Sequence, residues 1–112
     1  MADDWDRAYQ RHMARCAYCG RDLLVDFDAY MSAQLDHLVP KKEGGGNTDE
    51  NKVPACSVCN ILKGDFDPRP TAAKPGGKKE LLHAARVHIA KRRAEKIEEY
   101  FGRLKKYGDD AA

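Results

Sequence analysis

Apolar residues recur with helical spacing at both ends of the chain. Near the N-terminus, Trp5, Tyr9 and Met13 follow one another at intervals of four, and an aspartate just before them can cap the first turn. We therefore predict a helix over residues 3–14. A second, discontinuous apolar stripe predicts a long helix over about residues 79–106. Its members are Leu82, Ala85, Ile89, Ile97, Tyr100, Phe101 and Leu104.

The central part of the chain has shorter, strand-like apolar segments. Residues 23–25 and 33–39 are rich in branched apolar side chains, and Pro40 ends the second of these segments. Residues 52–53 are at most a short strand, because Pro54 cannot donate a hydrogen bond to a neighbouring strand. The pattern predicts a small α+β fold.

Glycine and proline divide the remaining sequence. The run of glycines at 44–46 predicts a flexible loop, and Gly64 is a natural end for a short helix that begins near Cys56. Residues 65–78 contain three prolines and two glycines and are predicted to be an irregular linker. With 112 residues, we expect one domain over 1–112: a core of about 16–64, the linker, and the C-terminal helix.

Four cysteines form two Cys-x-x-Cys pairs, Cys16 with Cys19 and Cys56 with Cys59. No apolar run is long enough to cross a membrane, and the first residues lack the apolar region of a secretory signal, so we expect a cytoplasmic protein. Thiols stay reduced there, which favours zinc over disulfides. Four thiolates leave no open position on a tetrahedral zinc ion, so this zinc is expected to be structural.

Charge is unevenly distributed although the formal net charge is only +2. Residues 74–107 carry eleven lysines and arginines against four glutamates, whereas residues 1–73 carry nine basic and twelve acidic residues. A basic helix beside a neutral or acidic body suits nucleic acid. A solvated helix face is the alternative explanation.

A second set of polar residues suggests a different kind of metal site. Asp36 and His37 stand near the end of an apolar segment, and Asn60 shares a helix face with Cys56. Carboxylate and amide oxygens suit Mg²⁺ or Mn²⁺, and an imidazole can take a proton from water at neutral pH. The alternative is that Asp36 and Asn60 are a cap and a turn residue and that His37 is an ordinary surface histidine.

These residues together resemble the HNH endonuclease family, whose core is a ββα-metal fold. The resemblance covers residues 16–64 and implies that His37 is the general base, that Asp36 and Asn60 bind the catalytic ion, and that Asn51 braces the loop and orients His37. The matching positions are Cys16, Cys19, Asp36, His37, Pro40, Gly44, Gly45, Asn51, Cys56, Cys59, Asn60, Lys63 and Gly64.

The leading hypothesis is therefore a metal-dependent endonuclease that cuts DNA, most simply double-stranded DNA. Lys63, Lys91, Arg92 and Arg93 are candidate contacts to nucleic acid. A zinc-stabilised nucleic-acid-binding module without catalysis is the alternative. A homodimer through the long helix, or a partner protein that supplies targeting, is also open.

Overall fold

The first helix of the computed structural model, which describes residues 2–108, is α1 (Asp4–His12). Asp3 caps it, and the side chains of Asp3 and Asp6 each accept a hydrogen bond from the other residue's backbone N–H, at 2.8 and 3.2 Å. The predicted helix is present, but Met13 has a left-handed conformation and its side chain is 75% exposed. Only the first two residues of the predicted stripe, Trp5 and Tyr9, pack against the core.

The segment predicted as a strand at 23–25 is a turn instead. Leu23 is fully buried, and the chain then enters α2 (Phe27–Ser32), a helix that the sequence pattern did not predict. Asp26 caps this helix by accepting a 2.7 Å hydrogen bond from the backbone N–H of Ala29. The apolar run had favoured a strand, but the cap and a single buried anchor determine the local structure.

Two strands form one antiparallel pair, β1 (Gln34–His37) and β2 (Lys52–Ala55). The second strand is longer than predicted because it includes Pro54, which lies opposite Leu35. The carbonyl of Pro54 accepts a 2.8 Å hydrogen bond from the N–H of Ala17 on the other side of the strand. The nitrogen of Pro54 therefore faces away from β1, where the missing N–H costs no hydrogen bond in the pair.

The glycine-rich connection between the strands is compact. It contains a 3-10 turn over Lys41–Glu43, a left-handed Gly44, and a second 3-10 turn over Asp49–Asn51. A Cβ atom on Gly45 would lie 1.8 Å from the carbonyl oxygen of Val39, so this position admits only glycine without a shift. The expected flexible loop is thus a hydrogen-bonded turn.

The short helix and its boundaries agree with the sequence. It is α3 (Ser57–Lys63), with Cys56 at its N-cap and Gly64 at its end. An irregular segment follows it, in which Pro68 is fully buried. The long helix is α4 (Lys78–Tyr107), slightly longer than predicted.

The core lies where the cysteine-bearing turn, the strand pair, α3 and the first half of α4 meet. Leu23, Leu38 and Val53 are fully buried in it, and Leu82 and Ile89 of α4 pack onto it. The result is a small α+β fold with helices at both ends. Within residues 2–108 no helix has the length and apolar character that crossing a membrane requires.

Candidate active site and metal centre

The four cysteines come together although 36 residues separate the two pairs. Their sulfur atoms all lie within 4.8 Å of one another, and the Sγ atoms of Cys19 and Cys56 are 3.8 Å apart. Four sulfurs at 2.3 Å from a tetrahedral zinc ion would lie about 3.8 Å from one another. The cluster therefore has the composition and the size of a four-cysteine zinc site, as the spacing predicted.

Backbone and side-chain donors surround the sulfurs. The N–H groups of Tyr18 and Cys59 point to the sulfurs of Cys16 and Cys56, each at 3.4 Å, and Arg93 on α4 lies 3.7 Å from the sulfur of Cys59. These donors offset the negative charge of a tetrathiolate.

At this distance the negative charge of one thiolate makes deprotonation of its neighbours less favourable. A hydrogen bond from Cys59 lowers the pKa of Cys16 to about 4, while that same hydrogen bond and burial raise the pKa of Cys59. One thiolate thus forms at the expense of its neighbour. A bound cation would relieve this competition, which is the behaviour expected of a metal-binding set.

A second group of polar residues lies beside the cluster and is centred on Asp36. Its Oδ2 atom accepts a 2.5 Å hydrogen bond from the hydroxyl of Tyr18 and lies 3.2 Å from the ammonium of Lys63. Its Oδ1 atom lies 3.4 Å from the amide nitrogen of Asn60. Burial and the charge of Asp36 raise the pKa of Tyr18, which keeps the phenol protonated as the donor.

Lys63, predicted as a nucleic-acid contact, has two partners within the domain. The side chain is only 1% exposed, and its ammonium donates a 3.0 Å hydrogen bond to the carbonyl of His37 in addition to pairing with Asp36. Held in this way, Lys63 compensates the charge of Asp36 at the surface pocket that both residues line. Its role as a nucleic-acid contact stays a prediction.

His37 has a side-chain partner that the sequence did not indicate. Its Nε2 atom lies 3.1 Å from Oδ1 of Asn47, in the turn that follows the glycines. With that oxygen as acceptor, Nε2 carries the proton and Nδ1 is left as the basic nitrogen. A polar residue directly after the glycine run was the only available signal for Asn47.

Asn51 holds the loop through backbone groups. Its Oδ1 accepts from the N–H of Val39 at 2.8 Å, and its Nδ2 donates to the carbonyls of Val39 at 2.9 Å and Gly46 at 2.8 Å. These three bonds join the end of β1 to the loop on either side of Gly45. Asn51 thereby holds the loop that carries Asn47, and its own carbonyl accepts a 2.8 Å hydrogen bond from the N–H of Leu38, next to His37.

Asp36 and His37 line one surface pocket of about 240 Å³. They are neighbours on β1, but His37 is the last residue of the strand and both side chains border the same space. Lys41 and Lys42 line the rim of this pocket and were not predicted as site residues. Lys63 and Asp65 also line it, so the pocket combines an imidazole with two carboxylates and three ammonium groups, of which Lys42 pairs with Asp65 and Lys63 with Asp36.

The oxygens of Asp36 and Asn60 fit a hard divalent ion. Turning the Asn60 amide by half a rotation places its oxygen where the nitrogen now stands, 3.4 Å from Oδ1 of Asp36. Neighbouring oxygen ligands of an octahedral Mg²⁺ are about 3.0 Å apart. Oδ1 is also the carboxylate oxygen that Tyr18 and Lys63 leave available.

The three basic residues in the middle of α4 have different surroundings. Lys91 is exposed, Arg92 forms a 2.7 Å ion pair with Glu95, and Arg93 is directed toward Cys59. Of these three residues, only Lys91 is exposed and has neither an ion pair nor a contact with the sulfur cluster. Arg93 is better placed to support the thiolates than to bind a phosphate.

Comparison with known proteins gives one positive result. Residues 16–66 match a family model described as HNH endonuclease, and that segment holds the four cysteines, Asp36, His37, Asn51 and Asn60. Searches of the curated proteins and of the solved structures found no match. The resemblance noted in the sequence is thereby confirmed: residues 16–66, somewhat less than half of the chain, match the HNH endonuclease family model.

Proposed function

We propose that this chain is a divalent-metal-dependent endonuclease that hydrolyses phosphodiester bonds of double-stranded DNA. The observation that carries the proposal is the shared pocket of Asp36 and His37, with Lys41 and Lys42 at its rim, inside an HNH domain. Paired basic side chains beside a carboxylate and an imidazole suit a polyanionic substrate.

His37 is the general base in this proposal. The hydrogen bond from Nε2 to Asn47 orients the ring and leaves Nδ1 free to accept a proton from the attacking water. Asn51 keeps the supporting loop in place through its three backbone hydrogen bonds. The chain itself therefore supplies the base and its orientation.

Asp36 and Asn60 would hold Mg²⁺ or Mn²⁺. A divalent ion bound there supplies positive charge for the scissile phosphate and for the leaving oxygen. Lys41 and Lys42 would hold neighbouring phosphates. Such contacts are independent of base sequence. The products expected are a 3′-hydroxyl and a 5′-phosphate.

One observation favours a second candidate function. The ammonium of Lys63 already compensates the charge of Asp36, which lowers the attraction of this carboxylate for a metal ion. A zinc-stabilised module that binds nucleic acid without cutting it would need no free carboxylate. The two candidates differ in whether a divalent ion triggers cleavage.

Incubation of supercoiled plasmid with the purified protein separates them. We expect nicked or linear DNA with Mg²⁺ or Mn²⁺ and none with chelator, and we expect His37→Ala to abolish cleavage while the circular dichroism spectrum and the zinc content stay unchanged. His83→Ala, at an exposed histidine of α4, is the matched control and should cut normally. Intact plasmid under both ions, with a shift in gel mobility, would support the binding module instead.

A further inference from the structure

The second half of α4 carries large apolar side chains that no residue of the described part of the chain covers. Ile97 and Leu104 are each 44% exposed, and Tyr100 and Phe101 are each 58% exposed. In the first half of the same helix, Leu82 is buried in the core. The rest of the domain thus covers only the first part of the apolar stripe predicted from the sequence.

A continuous seam with intervals of three and four residues runs along the exposed side of α4. This is the spacing of the a and d positions of a coiled coil. At 100° per residue, the centre of the seam lies about 110° around the helix from Ile89 and about 150° from Ala85, which face the core. Ile97 and Leu104 form the edge of the seam nearer to Ile89, and Ala90, Ala94 and Ile97 line a surface groove together with Tyr18 and Cys19. The seam consists of Val87, Ala90, Ala94, Ile97, Phe101 and Leu104.

We propose that α4 pairs in an antiparallel manner with α4 of a second copy of this chain along this seam. Reversing one helix against the other brings Ala94 opposite Ile97, Ala90 opposite Phe101, and Val87 opposite Leu104. Each layer then joins a small side chain to a large one, which is how cores fill space without voids. The two copies are related by a two-fold axis, so each of these three pairings occurs twice in the dimer.

Parallel pairing of the same two helices would fill the space between them less well. It would place Phe101 against Phe101 and Ala94 against Ala94, so that one layer is crowded and another leaves a gap. The order of small and large residues in the sequence therefore selects the antiparallel arrangement.

The charges beside the seam favour the same arrangement. Lys91 and Glu98 each follow a d position, and these flanking positions face each other across an antiparallel pair. Lys91 of one copy would meet Glu98 of the other, and the reverse. Neither residue takes part in an ion pair within residues 2–108, whereas Arg92, Glu95, Lys96, Glu99 and Arg103 on the other sides of the helix do.

The domain prepares the helix for this association. A separate helix forms with difficulty in water, because its first turn fixes several residues for a single hydrogen bond and most helical stability comes from packing. Here the first part of α4 is held by the buried Leu82, Ala85 and Ile89 and by Arg86, which donates to the carbonyl of Ala17 at 2.8 and 3.0 Å. Much of the ordering cost is therefore met before the two copies meet.

Sedimentation velocity or light scattering over about a hundredfold range of concentration tests the proposal without any DNA. The mass should rise from 12.6 kDa for the monomer toward about twice that value. Phe101→Glu should raise the dissociation constant at least about tenfold, because two buried charges enter the seam. Leu24→Glu makes the same change at a side chain that is 56% exposed outside α4, and should leave the dimer intact.

Charge exchange then tests the antiparallel register. Lys91→Glu and Glu98→Lys should each weaken the dimer, and the double variant should restore it to within about threefold of the unchanged protein. Circular dichroism of each variant verifies that α4 stays helical. A monomer at every concentration overturns the proposal, as do equal effects of Phe101→Glu and Leu24→Glu or a double variant no tighter than the single ones. Because cleavage is not the readout, these outcomes are separate from those of the nuclease assay.

Discussion

The hydroxyl of Tyr18 donates a 2.5 Å hydrogen bond to Oδ2 of Asp36. Tyr18 lies between Cys16 and Cys19, so this bond connects the cysteine-bearing turn directly to the strand that carries Asp36 and His37. The orientation of the candidate metal-binding carboxylate thus depends on the turn that the four-cysteine cluster holds.

Tyr18→Phe removes this hydroxyl and keeps the ring. We expect the free energy of unfolding to fall by about 1–2 kcal/mol, since a hydrogen bond to a charged group is lost, and we expect cleavage to slow because Asp36 is less well oriented. Urea denaturation and plasmid nicking measure the two effects. Tyr30→Phe is the control, because Tyr30 is half exposed and its hydroxyl has no hydrogen bond within residues 2–108. Equal effects of the two variants would contradict a special role for Tyr18.

Lys63→Met tests the ion pair with Asp36. Removal of one partner of a buried pair leaves an uncompensated charge, so we expect a loss of about 3 kcal/mol in the absence of divalent ions. Mg²⁺ or Mn²⁺ should recover more stability in this variant than in the unchanged protein, because Asp36 is then free to bind the ion. Thermal unfolding with increasing divalent ion measures this difference.

Lys42→Met provides the matched control for Lys63→Met. Lys42 pairs with Asp65 at 3.4 Å, but both side chains are about 70% exposed, so its loss should change stability little. If divalent ions stabilise Lys63→Met no more than Lys42→Met, the assignment of Asp36 as a metal ligand fails.

Asn47→Ala tests the hydrogen bond that orients His37. We expect the cleavage rate to fall about tenfold, less than for His37→Ala, because the base remains but its ring is free to turn. Stability should change little, since Asn47 is exposed. Thr48→Ala alters the next residue in the loop and should cut at the normal rate. A rate for Asn47→Ala equal to that of the unchanged protein would remove Asn47 from the site.

Cys56→Ser tests the four-cysteine cluster. We expect the zinc content per chain and the unfolding temperature both to fall, because three thiolates and a hydroxyl hold zinc less well and the metal joins two distant parts of the chain. Elemental analysis and thermal denaturation measure these quantities. Ser57→Ala, at the adjacent residue, is the control and should retain both. Full zinc content and stability in Cys56→Ser would rule out the four-cysteine assignment.

The features that could be predicted from the sequence have local causes. The spacing of the cysteines, the capped N-terminal helix and the end of α3 at Gly64 each depend on residues only a few positions apart. The segment at 23–25 shows the limit of this approach. Its apolar run resembled a strand, but Asp26 begins a helix directly after it.

The contacts that complete the site depend on residues far apart in the chain. Tyr18 is 18 residues from Asp36, Lys63 is 26 from His37, and Asn47 is ten from His37. No periodicity or spacing rule gives such distances, because the strand pair and α3 bring these residues together only after folding. For the same reason the sequence did not show that packing buries Lys63 beside Asp36.

Helix α3 has only seven residues and ends at Lys63, and yet it carries side chains of both centres. Cys59 belongs to the sulfur cluster, and the next residue, Asn60, faces Asp36. One additional residue between them would turn everything that follows by about 100°, and Asn60 and Lys63 would lose their partners together. Members of the family that share this helix should therefore vary in loop length on either side of it, but not in the number of residues within it.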